Sequence, residues 1–279
     1  MPEAVAAPTP SVVIVAYRAD AHLDRCLAAL GPGAHVVIVD NDAAPSTKAI
    51  ADEHGAEYIA SLTNVGFAAA VNIGLRHVGD TDVLLLNPDA RLGLGDVRRM
   101  QTALRAPGTH RAAVGPRLVG ADGGAQLAQW PMPSPAQIWL DAVGLGRLWR
   151  GRTFVVGAAL MLHADALTEL GGLDERYFLY AEEADWQLGA LHAGWQLHVV
   201  DTVTCTHVGA ASSSDPVRRE RLFLASGRAF ARRWYGPLGA AVMRAGSLVA
   251  AVRRSLVGSA ESRARNRRLL RLQLTGPPR

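Results

Sequence analysis

Three runs of consecutive apolar, largely β-branched residues lie in the first ninety positions: Ser11–Tyr17 (SVVIVAY), His35–Val39 (HVVIV) and Asp82–Leu86 (DVLLL). A run with no polar alternation reads as a strand buried on both faces, which parallel sheets require. A shorter strand is expected at Glu57–Ala60. Between the strands lie helical patterns: Asp20 capping a helix through Leu30, a helix near Ser46–His54, and the small-residue stretch Asn64–Gly74, suited to close packing on a sheet. The resulting β-α-β-α-β-α-β series predicts a parallel, doubly wound sheet.

In such sheets ligands bind at the carboxyl ends of the strands. Tyr17, Asp40 and Asp89 collect there. Neither G-x-G-x-x-G after the first strand nor G-x-x-x-x-G-K-[ST] is present, which argues against dinucleotide oxidoreductase and P-loop chemistry. After residue 90 the pattern changes. A helix is expected over Val97–Leu104, and strands at Ala112–Val119 and Ala125–Gln129 around the Asp122-Gly123-Gly124 turn. Further strands are expected at Thr153–Val156, Ala158–His163, Trp195–Val200 and Val203–Thr206. Residues 136–152 show no clear period. Two helices, from Pro216 to about Trp234 and from Leu238 to about Leu256, close the fold.

The stretch Gly171–Trp186 (GGLDERYFLYAEEADW) combines a glycine pair, an aromatic run and three carboxylates, Glu182, Glu183 and Asp185, at the start of a helical pattern. Acids at a helix N-terminus are favoured by the macrodipole, and a cluster beside aromatics also suits proton removal from a substrate hydroxyl. The two cysteines, Cys26 and Cys205, lack zinc-ligand spacing, and reduced thiols are expected. No basic segment followed by an apolar one precedes the first strand, so no signal peptide is expected. The apolar segment 236–258 is interrupted by Arg244, Arg253 and Arg254 and reads as a poor membrane span. From Arg218 to Arg279 there are 15 arginines and two acids, a net of +13, so residues 1–217 carry −9 of the chain's +4. The basic end suits an anionic partner, whether a membrane surface, nucleic acid or a lipid phosphate.

Taken together, Ser11–Tyr17, Val36–Asn41, Asn64–Gly74, Leu84–Asp89, Gly157–Asp165 and Gly171–Trp186 resemble, in order and spacing, the family 2 inverting nucleotide-sugar glycosyltransferases. Within that group the chain is most similar to bacterial cell-wall rhamnosyltransferases. The resemblance implies an α/β GT-A fold, a Rossmann-like mixed sheet flanked by helices, with a C-terminal helical extension. Residues 1–90 would form the nucleotide-sugar half, 91–215 the acceptor and catalytic half, and 216–279 the basic helical extension.

It also implies roles. Tyr17, Asp40, Asn64, Gly66, Asn72, Asn87 and Asp89 would line the nucleotide sugar. Asp40 would accept from the base imide, although an Asp-Asn-Asp turn is an equally open reading. Asp89, the surviving acid of a D-x-D motif whose first acid is here Asn87, would hold Mg²⁺ or Mn²⁺ with His207. Glu183 falls on the catalytic base, where the family usually has aspartate, and Asp185 is the other candidate. Apart from the resemblance, the Ser212–Ser214 loop reads as a flexible loop or as one that closes over the phosphates, and the tryptophans read mostly as core, with a stacking platform for sugar or acceptor open among them.

The implied partners are a dTDP- or UDP-sugar, dTDP-L-rhamnose by preference, and a glycan or polyprenyl-linked acceptor, with no nucleic acid. The implied setting is cytoplasmic, peripheral at the inner face of the plasma membrane through the basic C-terminus. Two other readings stay open at this point: a sugar-nucleotide nucleotidyltransferase, and a catalytically degenerate nucleotide-binding scaffold.

Overall fold

A computed structural model describes residues 8–209, 215–257 and 259–275; the Ser212–Ser214 loop lies outside them. Two compact units divide the described residues. One draws on Met1–Trp130, Val155–Glu175 and Glu182–Ser214, the other on Pro131–Phe154, Arg176–Ala181 and Asp215–Arg279.

The first unit is built on a nine-stranded mixed sheet. In chain order its strands are β1 (Ser11–Ala16), β2 (Val36–Asp40), β3 (Glu57–Ala60), β4 (Val83–Leu86), β5 (Ala90–Arg91), β6 (Arg111–Val119), β7 (Ala125–Gln126), β10 (Ala159–Leu162) and β11 (Gln196–His207). Their spatial order is β3-β2-β1-β4-β10-β6-β11-β5, with β7 on β6. The first four strands are mutually parallel where they pair. β10 runs antiparallel to both β4 and β6, while β6 and β11 are parallel. The sheet is therefore mixed beyond β4. A second, two-stranded sheet pairs β8 (Gln129–Pro131) with β9 (Thr153–Val155).

Strand alternation divides the core into two layers. Val12, Ile14, Ile38, Leu84 and Leu86 meet Leu23 and Leu27 of α1 (Asp20–Leu30) and Met100 and Leu104 of α4 (Leu94–Leu104). On the opposite face, Val13, Val37, Val39, Leu85 and Leu160 meet Val71 of α3 (Phe67–Leu75), Ala166 of α6 (Ala164–Leu170) and Trp186 of α7 (Glu182–His192). The small-residue character of α3 has a direct cause. A Cβ on Gly74 would stand 2.5 Å from Val13 Cγ1, so α3 lies closer to β1 than any larger residue permits.

Several local expectations are corrected. Asp20 does not cap α1: the N-cap is Ala19, and Asp20 instead accepts a 2.9 Å hydrogen bond from the Thr47 hydroxyl. α3 starts at Phe67, because Gly66, at φ 91°, is the N-cap. Ala125–Gln129 divides between β7 and β8, which have different partners. The two strands expected at 195–206 are one strand, β11, with a register shift between Val200 and Thr204. The patternless 136–152 holds a helix, α5 (Pro135–Ala142), and a 3₁₀ turn at Gly146–Leu148.

Outside the strand ends, one buried charge organises the first unit. Asp82 accepts from Arg105 Nε (2.6 Å) and Nη2 (2.9 Å), Gln101 Nε2 (3.0 Å) and the Ala164 amide (3.1 Å). Burial opposes its charge, but these bonds and the guanidinium prevail and hold its pKa below the ordinary value. A depressed carboxylate stabilises the fold above the unfolded pKa of about 3.9 and loses that contribution as pH falls through the folded value. Asp82→Ala is expected to cost about 3 kcal/mol at neutral pH, because it leaves Arg105 and two other donors without their acceptor. Denaturant unfolding of the variant checks this; a loss below about 1 kcal/mol would contradict it.

The second unit contains α5, α8 (Pro216–Leu256) and α9 (Ala260–Thr275). α8 kinks at Gly236 (φ 65°), just before Pro237, where the two expected helices meet. Its length and composition would suffice to cross a membrane. Its second half nevertheless packs sideways on its own unit, with Met243, Gly246, Ala250 and Ala251 buried. α9 is joined to α8 by Arg268, which grips the Glu220 carboxylate at 2.7 Å through both Nε and Nη2.

Candidate active site

The sheet topology brings one edge of the first unit together. β1, β2, β4, β6 and β11 share a direction, so Tyr17, Asp40-Asn41, Asn87–Asp89 and His207 all fall at their carboxyl ends. β10 runs the other way and begins at this edge. The amide of Asn87 donates to the carbonyl of Ala158 (2.9 Å), and Gly157 lies under the aliphatic part of Glu183, whose Cγ would stand 3.7 Å from an added Cβ. Residues 157–158 thus link the Asp89 loop to the start of α7.

Asp40 is fully buried, and its carboxylate is already committed. Oδ1 accepts from the Asp42 amide (3.0 Å), and Oδ2 from the Ala44 amide (2.8 Å) and the Tyr58 hydroxyl (3.0 Å). Burial and the Asp40 carboxylate push the Tyr58 phenol up to about 12, so it stays a donor. Asp40 therefore shapes the loop after β2. The neighbouring Asn41 is the residue with unused capacity. Its Nδ2 donates to the Gly66 carbonyl (3.1 Å), which fixes the amide's orientation, while its Oδ1 is buried with no partner. Asn64 Oδ1 accepts from the Gly66 amide at 3.0 Å. Asn41, Asn64 and Gly66 thus form one cluster at the open N-terminus of α3, where backbone N–H groups favour anions. The backbone amide of Asn41 donates to Ala16 O (2.8 Å), in the residue before Tyr17.

Asn72 is not part of that cluster. It clamps the glycine pair before α7: its Nδ2 donates to Leu173 O (2.8 Å) and Glu175 Oε1 (2.9 Å), and its Oδ1 accepts from the Leu173 amide (2.9 Å). A Cβ on Gly172 would collide with Asn72 Oδ1, which accounts for the second glycine.

Asp89 and His207 meet at 3.5 Å, Oδ1 to Nε2, both largely shielded from solvent. Oδ2 of Asp89 accepts from the Gly209 amide at 3.0 Å. Burial alone would raise the Asp89 pKa. The hydrogen bond and charge of His207, with the amide bond, outweigh it and hold the carboxyl below its ordinary value. The imidazole is steered from behind: Nδ1 lies 3.2 Å from Gln126 Oε1, and Gln126 Nε2 donates to His207 O at 2.9 Å. One carboxylate and one imidazole, with phosphate oxygens and water completing the shell, suit a hard divalent cation. Among the described residues no group of three His, Cys, Asp or Glu side chains forms a protein-only metal cage.

The three acids of α7 have different surroundings. Glu182 and Asp185 are buried, and Asp185 is engaged by a partner, whereas Glu183 is half-buried. Two consecutive left-handed non-glycine residues, Tyr180 and Ala181 (both φ 72°), precede them, a costly conformation of the kind found at functional turns. Burial and then the charge of Glu183 drive the Glu182 pKa well above the carboxylate range. Burial also raises Glu183, while backbone N–H donation and a hydrogen bond from Glu182 pull it back. Glu182 is thus raised further than Glu183, and each residue keeps a buried Oε2 with no partner. One neutral and one ionised carboxyl is what two adjacent buried acids can sustain.

A raised carboxylate pKa means that the folded state keeps a proton the unfolded chain has released. Stability accordingly falls as pH rises above the unfolded value of about 4.3, until the folded group itself ionises. Glu182→Gln, which keeps a donor toward Glu183, is expected to flatten that fall. The gap in thermal midpoint over wild type should widen from pH 4 toward neutrality, and parallel profiles would contradict this.

Sequence reasoning gave no role to Asn41 or Gln187, and it named Glu182 among the three acids without giving it a role of its own. Gln187 is fully buried and bonds both the amide and the carbonyl of Val155 at 2.8 Å. A lone glutamine in a helical pattern carries no signal of this. Trp186 and Trp195, candidates for stacking on ligand, are core residues. Trp186 Nε1 donates to Gly171 O (2.8 Å), and Trp195 stacks on His110 with ring centroids 3.7 Å apart.

Comparison with known proteins agrees with this geometry. The family model described as glycosyl transferase family 2 matches residues 11–170. The chain is 27% identical over 242 residues to N-acetylglucosaminyl-diphospho-decaprenol L-rhamnosyltransferase of Mycobacterium tuberculosis, covering 74% of this chain and 78% of that protein. It is 24% identical over 187 residues to the low-salt glycan biosynthesis hexosyltransferase Agl10 of Haloferax volcanii, covering 63% and 59%. Among solved structures, the mannosyltransferase PcManGT of Pyrobaculum calidifontis, in complex with GDP-Man and Mn²⁺, superposes with TM-score 0.56 at 16% identity, covering 96% of this chain and 84% of that one. S. aureus TarS with UDP-GlcNAc does so with TM-score 0.55 at 14% identity, covering 97% and 82%. The mixed sheet with flanking helices is thus a GT-A-like fold followed by a helical region, and the chain belongs to glycosyl transferase family 2 and is a glycosyltransferase.

Proposed function

We propose that the chain transfers a sugar from a pyrimidine nucleoside diphosphate sugar to an acceptor hydroxyl with inversion at the anomeric carbon. The observation that carries this reading is the Glu182–Glu183 pair: two adjacent carboxyls, each with a buried, unpartnered Oε2, joined through residues 157–158 to the Asp89–His207 edge. Residues 1–90 bind the donor, 91–215 supply the acceptor wall and the base, and 216–279 form the helical extension.

At the donor end, Asn41 Oδ1 accepts the imide N–H of uracil or thymine, on the loop that Asp40 shapes. The base rests near Tyr17, and the diphosphate lies toward Gly66 and the N-terminus of α3. Asp89 and His207 would hold Mg²⁺ or Mn²⁺ on the diphosphate, where the cation would neutralise the charge that grows on the leaving group. Asn87 lines the same turn. Glu183 takes the proton from the acceptor hydroxyl as its oxygen bonds to the anomeric carbon from the face opposite the diphosphate. The bond from that carbon to the diphosphate oxygen breaks, and the configuration inverts. The raised pKa of Glu183 makes it a stronger base than an exposed carboxylate. Asp185 is buried in the first turn of α7.

The likeness to the mycobacterial rhamnosyltransferase supports dTDP-L-rhamnose as donor and a polyprenyl-diphosphate sugar as acceptor. Such an acceptor implies a cytoplasmic protein peripheral to the inner membrane face, held by its basic C-terminal extension. Thermal-shift titration with dTDP, UDP and GDP, with and without Mn²⁺, tests the donor site. Stabilisation by dTDP and UDP that exceeds that by GDP and strengthens with Mn²⁺ is expected. Equal shifts with all three, or none with any, would refute the donor reading.

A further inference from the structure

The second half of α8 carries a face that its own unit leaves open. Leu238 (79% exposed), Val242, Val249, Val252 and Leu256 (71% exposed) are all solvent-facing and stand four, seven, three and four residues apart. At 3.6 residues per turn they form a single stripe about five turns long. Ala245, also exposed, fills the gap, and no charged or polar residue interrupts the stripe. The opposite side of the helix is closed. Gly246 lies against Ile138 and Trp139, Trp139 Nε1 donates to Val242 O (3.1 Å), and Arg253 donates to the carbonyls of Ala142 (2.9 Å) and Asp141 (3.1 Å). A helix bonded along one side to its own unit does not cross a bilayer as a free span, but it can lie on one.

The charge of this unit selects the occupant. Residues 131–154, 176–181 and 215–279 contain nineteen arginines, no lysine and four acids, a net of +15, while the rest of the chain carries −11. Pairing two such stripes from two copies would bring two units of the same high charge together. An anionic lipid surface is attracted instead, through the arginines near the headgroups. Exposed arginines flank the stripe: Arg232 and Arg233 before it, Arg244 on another face of the same helix, and Arg265, Arg267 and Arg271 on α9. α9 is bonded beside α8 by Arg244 Nη2 to Gln273 O (3.0 Å).

We infer that the Leu238–Leu256 stripe inserts into the acyl–headgroup boundary of an anionic membrane, with the surrounding arginines on the phosphates. This deepens the membrane contact proposed above by giving the basic extension an apolar anchor on α8, and it does not depend on the sugar-transfer reading.

The test is co-sedimentation of the full chain with phosphatidylcholine vesicles and with vesicles that also contain phosphatidylglycerol. The variants are Val249→Asp/Val252→Asp and, to separate lost insertion from added repulsion, Val249→Asn/Val252→Asn. These positions are exposed, so thermal midpoints and nucleotide thermal shifts should match wild type. Wild type should bind the anionic vesicles, bind the neutral ones weakly, and retain part of its binding at high salt, because insertion is not screened. Both variants should bind roughly tenfold or more weakly and lose the salt-resistant part. Variants that bind like wild type, wild type that ignores anionic vesicles, or a wild-type dimer that the variants dissociate would each overturn the inference. If nucleotide shifts vanish while vesicle binding follows this pattern, only the transferase reading fails.

Discussion

Glu183→Gln is expected to lower turnover by roughly 10² to 10⁴-fold, the range a positioned general base contributes, while leaving nucleotide affinity as in wild type. Glutamine keeps the size and the hydrogen bond from Glu182 but cannot take a proton. Among the three acids of α7, Glu183 is the least buried and keeps an unpartnered oxygen, whereas the side chains of Glu182 and Asp185 are buried. Asp185→Asn should therefore act mainly on stability. Glutamate also answers a question posed by the family's preferred aspartate. Its extra methylene lies over Gly157, where no side chain competes for the space. Glu183→Asp should keep part of the activity, because the carboxylate survives but withdraws by one carbon. Steady-state kinetics with a nucleotide-binding control check the series. Full turnover in Glu183→Gln would remove the base from the mechanism.

The second large effect is expected at Asp89. Asp89→Asn should reduce transfer by roughly 10² to 10³-fold, as for loss of a charge stabilising a leaving group. It should also abolish any enhancement of nucleotide binding by Mn²⁺. Asparagine can still accept from the Gly209 amide, so the loop geometry should survive, and the lost element is the negative charge facing His207. His207→Ala should reproduce the weakened Mn²⁺ response less severely, since Asp89 remains. A Mn²⁺ response in Asp89→Asn equal to wild type would show that the cation is held elsewhere.

The first four strands were legible because burial on both faces writes an unbroken apolar run into the sequence, as in Val12–Val15 and Val36–Val39. The close approach of α3 was legible in its alanines and glycine. The β6–β7 hairpin was legible in its Asp122-Gly123-Gly124 turn, but the break between β7 and β8 was not, because β8 pairs with β9, beyond α5 in the chain, rather than with β6. β11 looked like two strands because polar Asp201 and Thr202 fall where its register with β6 shifts. α5 was hidden because its packing face is met by α8, a hundred residues later.

The site shows the same division. The acids before Trp186 and the lone Asp89 carry chemistry in their residue types, so their positions stood out. Which of two adjacent glutamates keeps the proton depends on burial that differs between neighbours. Likewise, Asp40 spends its carboxylate on its own loop while Asn41 keeps a free oxygen. That exchange depends on Tyr58 and Gly66, eighteen residues beyond Asp40 and twenty-five beyond Asn41, and no local pattern encodes it.

The most direct measurement follows the anomeric proton by NMR while the wild-type chain acts on a panel of nucleoside diphosphate sugars with Mn²⁺, with water or an added glycan hydroxyl as acceptor. Glu183-dependent release of nucleoside diphosphate is expected, with the sugar appearing first in the configuration opposite to that of the donor. Release that persists in Glu183→Gln, product that retains the donor configuration, or no release from any donor would contradict inverting transfer at this site.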